Sequence, residues 1–311
     1  MSDVQYVKGA SFGIAAVSIW AGWSVLTRLA VTTNVDAWDI VALRFGVAGV
    51  LLLPVVMRRG LALDHLGWRG LAVIIVGTGA PYALVAANGL RFAPAYDGGA
   101  LNPGCMPLFV ALIASVVLHE RLSATRKAGL SLIFAGALII VGWHTWDAAW
   151  SLSRVFGDAL FLLASFLTAC FTVQMRQASL EPLHAAALVS TGSLVIYLPI
   201  YLALHGTHFA QATLAAVAVQ ALFQGVLVSI VAVVLYCRAV AILNASAGAA
   251  FGALVPALSA LFAIPVLGEW PGKTDSIGII AISAGVYLAS GAPLPRFAAS
   301  CGKKREVISS N

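Results

Sequence analysis

The sequence predicts an all-α integral membrane protein of ten transmembrane helices, arranged as two inverted five-helix repeats. Three observations predict it. First, 61% of the 311 residues are hydrophobic and only 10% are charged. A soluble domain carries about 25% charged residues, so this chain has too few to cover a soluble surface. Second, the apolar residues gather into ten stretches of membrane-spanning length joined by short loops. Third, the chain matches itself without a gap at a shift of 149 residues. Pro107 falls on Pro256, Leu118 on Leu267, Glu120 on Glu269, Gly129 on Gly278, Gly136 on Gly285 and Gly142 on Gly291. Alanine and leucine matches carry little weight in so apolar a chain, but a proline, a glutamate and three glycines in fixed register mark an internal duplication.

The elements follow in order. Residues 2–8 are too short and polar for a cleaved leader, so the first apolar run is expected to be retained as a span. Spans are expected at about 10–30, 38–57, 68–90, 95–118, 127–143, 156–176, 184–204, 213–238, 245–267 and 275–292. Residues 1–143 then form the first repeat and 155–292 the second. The connection 144–154 joins them, with Trp143, Trp146 and Trp150 suited to a membrane interface, and 293–311 is a basic tail. With the N-terminus on the cytoplasmic side, thirteen Lys and Arg residues fall on that side, four on the other, and Arg44 within span 2. The bias places both termini in the cytoplasm. Five spans per half is an odd number, so the second repeat must insert upside down. Glu120 then ends a helix at one face and Glu269 ends its counterpart at the other. The early spans align too, since Gly9, Arg28 and Ala30 fall on Gly157, Arg176 and Ala178 at a shift of 148. Inverted repeats are how many secondary transporters build two gates around one central site.

Several of these residues resemble the ten-span EamA-type members of the drug/metabolite transporter superfamily. The carriers are Trp20-Ala21-Gly22 in span 1, Arg44 in span 2, and the run from Pro107 to Leu118-His119-Glu120-Arg121-Leu122-Ser123, with its echo from Pro256 to Leu267-Gly268-Glu269. The second copy departs after Glu269, where Trp270-Pro271-Gly272 replaces the Arg-Leu-Ser type of turn. The resemblance covers nearly the whole chain. It implies an inner-membrane exporter of small metabolites, amino acids among them, with the bacterial YddG-type amino-acid exporters as the nearest branch.

Polar and aromatic side chains inside spans face a bundle interior or a wet cavity. Trp20, Trp23, Ser24, Tyr82, Asn88, Tyr96, Asn102, Gln174, Gln224 and Tyr236 are therefore the candidate cavity residues, and a wall of Trp and Tyr with a few amides suits zwitterionic or aromatic solutes. Each alone reads first as a contact between helices or an interface residue; the set together reads as a cavity. Arg44 needs a partner at its depth. Asp39, Asp97 and Asp158 are the acids on the same side, and Arg44, Asp97 and Asp158 together read as an outer vestibule or gate. Alternatively Arg44 pairs structurally or reaches outward to water. Glu120 and Glu269 read as helix-closing residues at the membrane surface. Pro107 and Pro256 read as hinges, because membrane prolines free a carbonyl and these two recur at matched depth. Gly129/Gly136 and Gly278/Gly285, each seven apart, read as packing stripes.

Other functions find little support. The stretch from Gly268 to Thr274 imitates a phosphate loop with its first glycine one residue too close, so ATP is not expected. The histidines at 65, 119, 144, 184, 205 and 208 lie in loops or at span ends, which gives no haem or metal site, and Cys105, Cys170, Cys237 and Cys301 suggest no disulfide. No cofactor is expected. The basic residues sit in short loops and a tail, the pattern of membrane orientation rather than of nucleic-acid binding. A membrane-embedded enzyme would need clustered His, Asp or Glu at one face. No acid is expected at mid-membrane, so the reading is alternating access with facilitated or weakly coupled export. A proton-driven exporter of cationic drugs or lipid-linked substrates is the alternative.

Overall fold

The computed structural model describes residues 3–33, 35–120, 122–146, 152–206, 213–243 and 245–291. Arg121, Asn244, Trp150 and the basic tail lie outside the described residues, as do the side chains of Trp143 and Trp146. The chain is a multi-pass membrane protein built from helices. Span 1 is Asp3–Thr32 and span 2 Ala37–Arg59. Span 3 comprises Leu63–Thr78 and Ala80–Phe92; span 4, Ala95–Leu101 and Met106–Val117. Spans 5, 6 and 7 are Ala124–Trp146, Leu152–Gln177 and Pro182–Leu204. Span 8 runs from Leu214 to Leu243, with a π-helical stretch at Ala221–Val231. Span 9 comprises Ala245–Gly252 and Leu254–Leu267. Nine of these, among the described residues, are long and apolar enough to cross a membrane. The tenth, Lys273–Ala289, has 17 residues, the short end of the spanning range of about 17–25.

The inversion is visible in how the spans pair. Span 1 packs on spans 8 and 9 of the second repeat, and span 6 packs on spans 3 and 4 of the first. Span 2 lies on span 7, span 4 on span 9 and span 5 on span 10. Exchanging each span with its counterpart leaves this set of pairs unchanged, as a two-fold relation between repeats requires. The glycine stripes give the same result in residues. A Cβ on Gly129 would lie 2.7 Å from the carbonyl oxygen of Gly285, and one on Gly136 2.8 Å from that of Gly278. Gly129 is the sequence counterpart of Gly278, yet it faces Gly285, the counterpart of Gly136. The stripes therefore run antiparallel. With backbones this close, dispersion and close packing hold spans 5 and 10 together where lipid offers little hydrophobic drive.

The runs expected at 68–90, 95–118 and 245–267 as continuous helices are each divided. Span 3 breaks at Gly79, where a Cβ would lie 2.1 Å from the Ile75 carbonyl oxygen and 2.3 Å from Ser193 Oγ. The Ala80 N–H released there donates to Ser193 Oγ of span 7 at 3.0 Å. Span 4 breaks across Asn102–Cys105 and span 9 at Ala253. Pro81, Pro107 and Pro256 each stand in the first turn of the half that follows, where a missing N–H removes no helical bond.

Spans 4 and 9 end alike. The Glu120 N–H reaches the Ala114 carbonyl and the Glu269 N–H reaches the Ala263 carbonyl, both at 3.4 Å. The residue before each glutamate must be left-handed to close that turn. It is Gly268 (φ 67°) in one copy and His119 (φ 54°) in the other. A side chain in that conformation costs about 1–2 kcal/mol. His119→Gly is accordingly expected to raise unfolding stability by about 0.5–1 kcal/mol after the entropy of the unfolded glycine is offset, and Gly268→His to lower it by about 1 kcal/mol. Denaturant titration of the purified protein in detergent checks both.

Candidate functional site

The two broken helices of the first repeat meet inside the bundle. Tyr82, three residues past the break in span 3, accepts a hydrogen bond at 3.0 Å from the amide of Asn102, which opens the break in span 4. Discontinuous helices at the repeat interface are where secondary transporters hold their solutes, because unwound backbone is tolerated there only when it lines protein or a cavity. The guanidinium of Arg44 in span 2 lies over the Phe45 ring of the same helix, 5.3 Å from the ring centroid. Its Nε donates to Ser229 Oγ at 3.3 Å. Ser229 stands in the π-helical stretch of span 8, and its own hydroxyl hydrogen goes to the Gln224 carbonyl, five residues back, at 2.8 Å. Further along span 8, Tyr236 meets Trp20 of span 1, ring centroids 5.2 Å apart. The centre thus offers a cation, a tyrosine–amide pair and an aromatic pair.

At each face an ion pair joins the two repeats. Arg28, near the end of span 1, donates from Nε to Glu269 at 2.9 Å, and the other carboxylate oxygen of Glu269 accepts the Ala95 N–H, the first of span 4, at 2.8 Å. At the opposite face Arg176, near the end of span 6, donates to Glu120 at 2.5 Å, with Arg126 at 3.6 Å. Arg28 and Arg176 are sequence counterparts, as are Glu120 and Glu269. The first-span arginine of each repeat therefore holds the fourth-span glutamate of the other. A second cluster sits on the Glu269 side. Arg154 bonds Asp97 at 2.8–2.9 Å, Asp275 at 3.2 Å and the Tyr96 hydroxyl at 3.4 Å.

The expected vestibule of Arg44, Asp97 and Asp158 is not formed. Asp97 is held by Arg154, Asp39 accepts the Tyr201 hydroxyl, and Asp158 is completely buried next to Gly157, whose backbone lies on Gly89 and Ala93. The partner of Arg44 is a hydroxyl on another span. Several cavity candidates also go elsewhere. Gln224 is wholly buried between spans 1 and 8 and donates to Thr27 Oγ1 at 2.9 Å. Gln174 packs over Gly70 near the end of span 6, and Asn88 spends its amide on the Leu84 carbonyl of its own helix. Trp23 and Ser24 are buried, Trp23 within the main core, and Tyr96 belongs to the Arg154 cluster. Trp20, Tyr82, Asn102 and Tyr236 stand in the central arrangement. Glu120 and Glu269 bond across repeats as well as closing their helices, and Pro107 and Pro256 begin the second halves of broken spans. Sequence reasoning missed Ser229, Arg154 and Asp275. It counted Arg28 and Arg176 only as loop charges, although their coincidence at a shift of 148 was the signal.

Known proteins resemble this chain in sequence and fold. The model of the EamA-like transporter family matches residues 7–142 and again residues 155–291. An uncharacterised transporter of Archaeoglobus fulgidus is 29% identical over 280 residues, covering 88% of this chain and 93% of the relative. A riboflavin transporter of Brucella anthropi is 31% identical over 195 residues, 61% of this chain and 64% of that protein. A solved crystal structure superposes on 90% of the chain and 96% of its own length, with a TM-score of 0.59 at 20% identity.

Proposed function

Because this chain belongs to the EamA-like transporter family, we propose that it exports small metabolites, amino acids among them, across the bacterial inner membrane by alternating access between its two repeats. That it is a transporter follows from the family. Its cargo, direction and mechanism are our reading. The observation that carries the reading is the reciprocal exchange of Arg28–Glu269 and Arg176–Glu120 at opposite faces around a centre where two broken helices meet. Opening one face requires the bonds between repeats at that face to part, Arg28–Glu269 with Arg154–Asp97 on one side and Arg176–Glu120 with Arg59–Glu181 on the other, with Pro107 and Pro256 as the hinges beside the breaks. The charge bias supports cytoplasmic termini.

Export is facilitated or weakly coupled. Every described acid inside a span lies within about two turns of a helix end, Asp158 being the deepest at the seventh residue of span 6. A deep proton relay would place one further in. Riboflavin, carried by the Brucella anthropi relative, is the second candidate cargo, favoured by the Trp20–Tyr236 pair, which suits a flat ring. Proteoliposomes holding the purified protein test the reading with labelled amino acids and riboflavin, with and without a pH gradient. Amino-acid uptake that levels off at equal concentrations regardless of the pH gradient is expected. Accumulation beyond that level would overturn the uncoupled mechanism, and uptake of riboflavin alone would overturn the amino-acid assignment.

A further inference from the structure

We propose that Arg44, held by Ser229 at the π-helical stretch of span 8, is the seat of a carboxylate on the transported solute, so that the cargo is a monocarboxylate with an apolar or aromatic body. The proposal rests on the transport reading above and names the chemistry its central site selects.

Arg44 stands eighth in span 2, about 10 Å from its start. Among the described residues no carboxylate pairs with it, and Ser229 Oγ is its only hydrogen-bond partner. An arginine at such depth is ordinarily paired. The three acids expected near it, Asp39, Asp97 and Asp158, are engaged or buried elsewhere. Ser229 gives its hydrogen to the Gln224 carbonyl and so can only accept from Arg44. This fixes Nε and leaves both terminal nitrogens, the fork that bonds a carboxylate with two parallel bonds, without a protein acceptor. The π-helical stretch makes the arrangement possible, because widening the helix aligns Ser229 with the carbonyl five residues earlier. Such stretches recur at functional sites.

The charge also selects. One guanidinium with neutral neighbours (the Ser229 hydroxyl and the Phe45 ring) balances one negative charge. A dianionic phosphate would leave a net charge in a low-dielectric site, a solute without a carboxylate would leave the arginine unmatched, and a quaternary amine would repel it. Tyr236 lies seven residues beyond Ser229, about two turns or 10 Å along span 8. With Trp20 it offers the aromatic surface for the other end of the solute.

The test uses proteoliposomes loaded with labelled L-phenylalanine, competed by 3-phenylpropionate or its neutral carboxamide, together with unfolding midpoints in detergent. In the wild type the carboxylate is expected to compete at least about ten-fold better than the amide, because a site built for a charged partner rejects the analogue lacking it. Arg44→Gln should bring the two within about two-fold. Arg44→Lys, which keeps the charge but not the fork, should fall between. Arg44→Gln should also melt no lower than wild type, since an unmatched buried charge contributes no stability. Unchanged discrimination in Arg44→Gln, or its unfolding at lower temperature with discrimination intact, would overturn the proposal by making Arg44 structural. If no amino acid is carried, the transport assignment fails separately. The seat is then read from whether 3-phenylpropionate raises the melting midpoint of wild type but not of Arg44→Gln, and equal shifts in both would remove it.

Discussion

Replacing Gly136 by valine is expected to destabilise the protein by about 1–3 kcal/mol and to loosen the joint between its two repeats. A Cβ there would lie 2.8 Å from the Gly278 carbonyl oxygen and 3.0 Å from the Ile282 backbone nitrogen. Both neighbours are backbone, so no rotamer change relieves the contact and the helices must separate. Separation forfeits the close packing that drives helix association in lipid, and it does so along the whole stripe from Gly129 to Gly136. Gly278→Val, facing the same contact at 3.0 Å from the Gly136 carbonyl oxygen, should cost a similar amount. The double variant should cost clearly less than the sum, because the first substitution has already parted the spans. Gly46→Val is the control: a Cβ there meets nothing within 4 Å, and its stability should stay within about 0.5 kcal/mol of wild type. Denaturant midpoints of wild type and the four variants in one detergent decide the matter. Additive losses, or a Gly46→Val as unstable as Gly136→Val, would show that the stripe is not the joint.

That joint was legible in the sequence because glycines in register are rare enough to survive as a signal in an apolar chain. The charge bias behind the expected orientation stands out for a similar reason: charges are few, so their placement is informative. The breaks in spans 3, 4 and 9 were half legible. Glycine and proline marked the places, but whether such a cluster divides a helix depends on a partner for the freed backbone, and Ser193, 113 residues away from Ala80, was invisible as that partner. The π-helical stretch was not legible at all. Ala221–Val231 reads as an ordinary apolar run, and its close approach to span 2, where a Cβ on Gly225 would meet Val47 Cβ at 2.5 Å, is a contact between distant segments. The central site suffered from the same limit. Polar residues in spans are read singly, and nothing in a single sequence separates Gln224, which ties spans 1 and 8, from Asn102, which meets Tyr82 at the breaks. The acids misled for a physical reason. Asp97 was paired by expectation with the arginine inside a span, but its true partner Arg154 lay in what read as a loop charge.

Removing the carboxylate of Glu269 is expected to cost more than removing that of Glu120, although the two occupy equivalent places in the repeats. Glu269 and Arg28 are 18% and 19% exposed, whereas Glu120 and Arg176 are 29% and 43% exposed. The more accessible pair is screened by water and contributes about 0–1 kcal/mol. Glu269 does more. Its second oxygen accepts the Ala95 N–H at the start of span 4, so Glu269→Ala leaves a helix N-terminus without its acceptor, about 1–3 kcal/mol, in addition to the lost ion pair. Glu269→Gln keeps one amide oxygen for one of the two donors and should fall between. Salt separates the contributions. Raising NaCl from about 0.1 M to about 1 M shortens the screening length from roughly 10 Å to roughly 3 Å, so it should remove most of the difference between wild type and Glu120→Gln. It should leave most of the deficit of Glu269→Ala, because a backbone hydrogen bond is not screened away. A deficit of Glu269→Ala that disappears with salt would mean that the charge alone matters at that face. Equal losses at positions 120 and 269 would mean that the Ala95 contact contributes nothing, and that the two faces are held with equal strength. Under the alternating access proposed above, the expected inequality would have a mechanistic consequence: the Glu269 pair would need more free energy to part than the Glu120 pair, which would bias the resting protein towards opening on the Glu120 side.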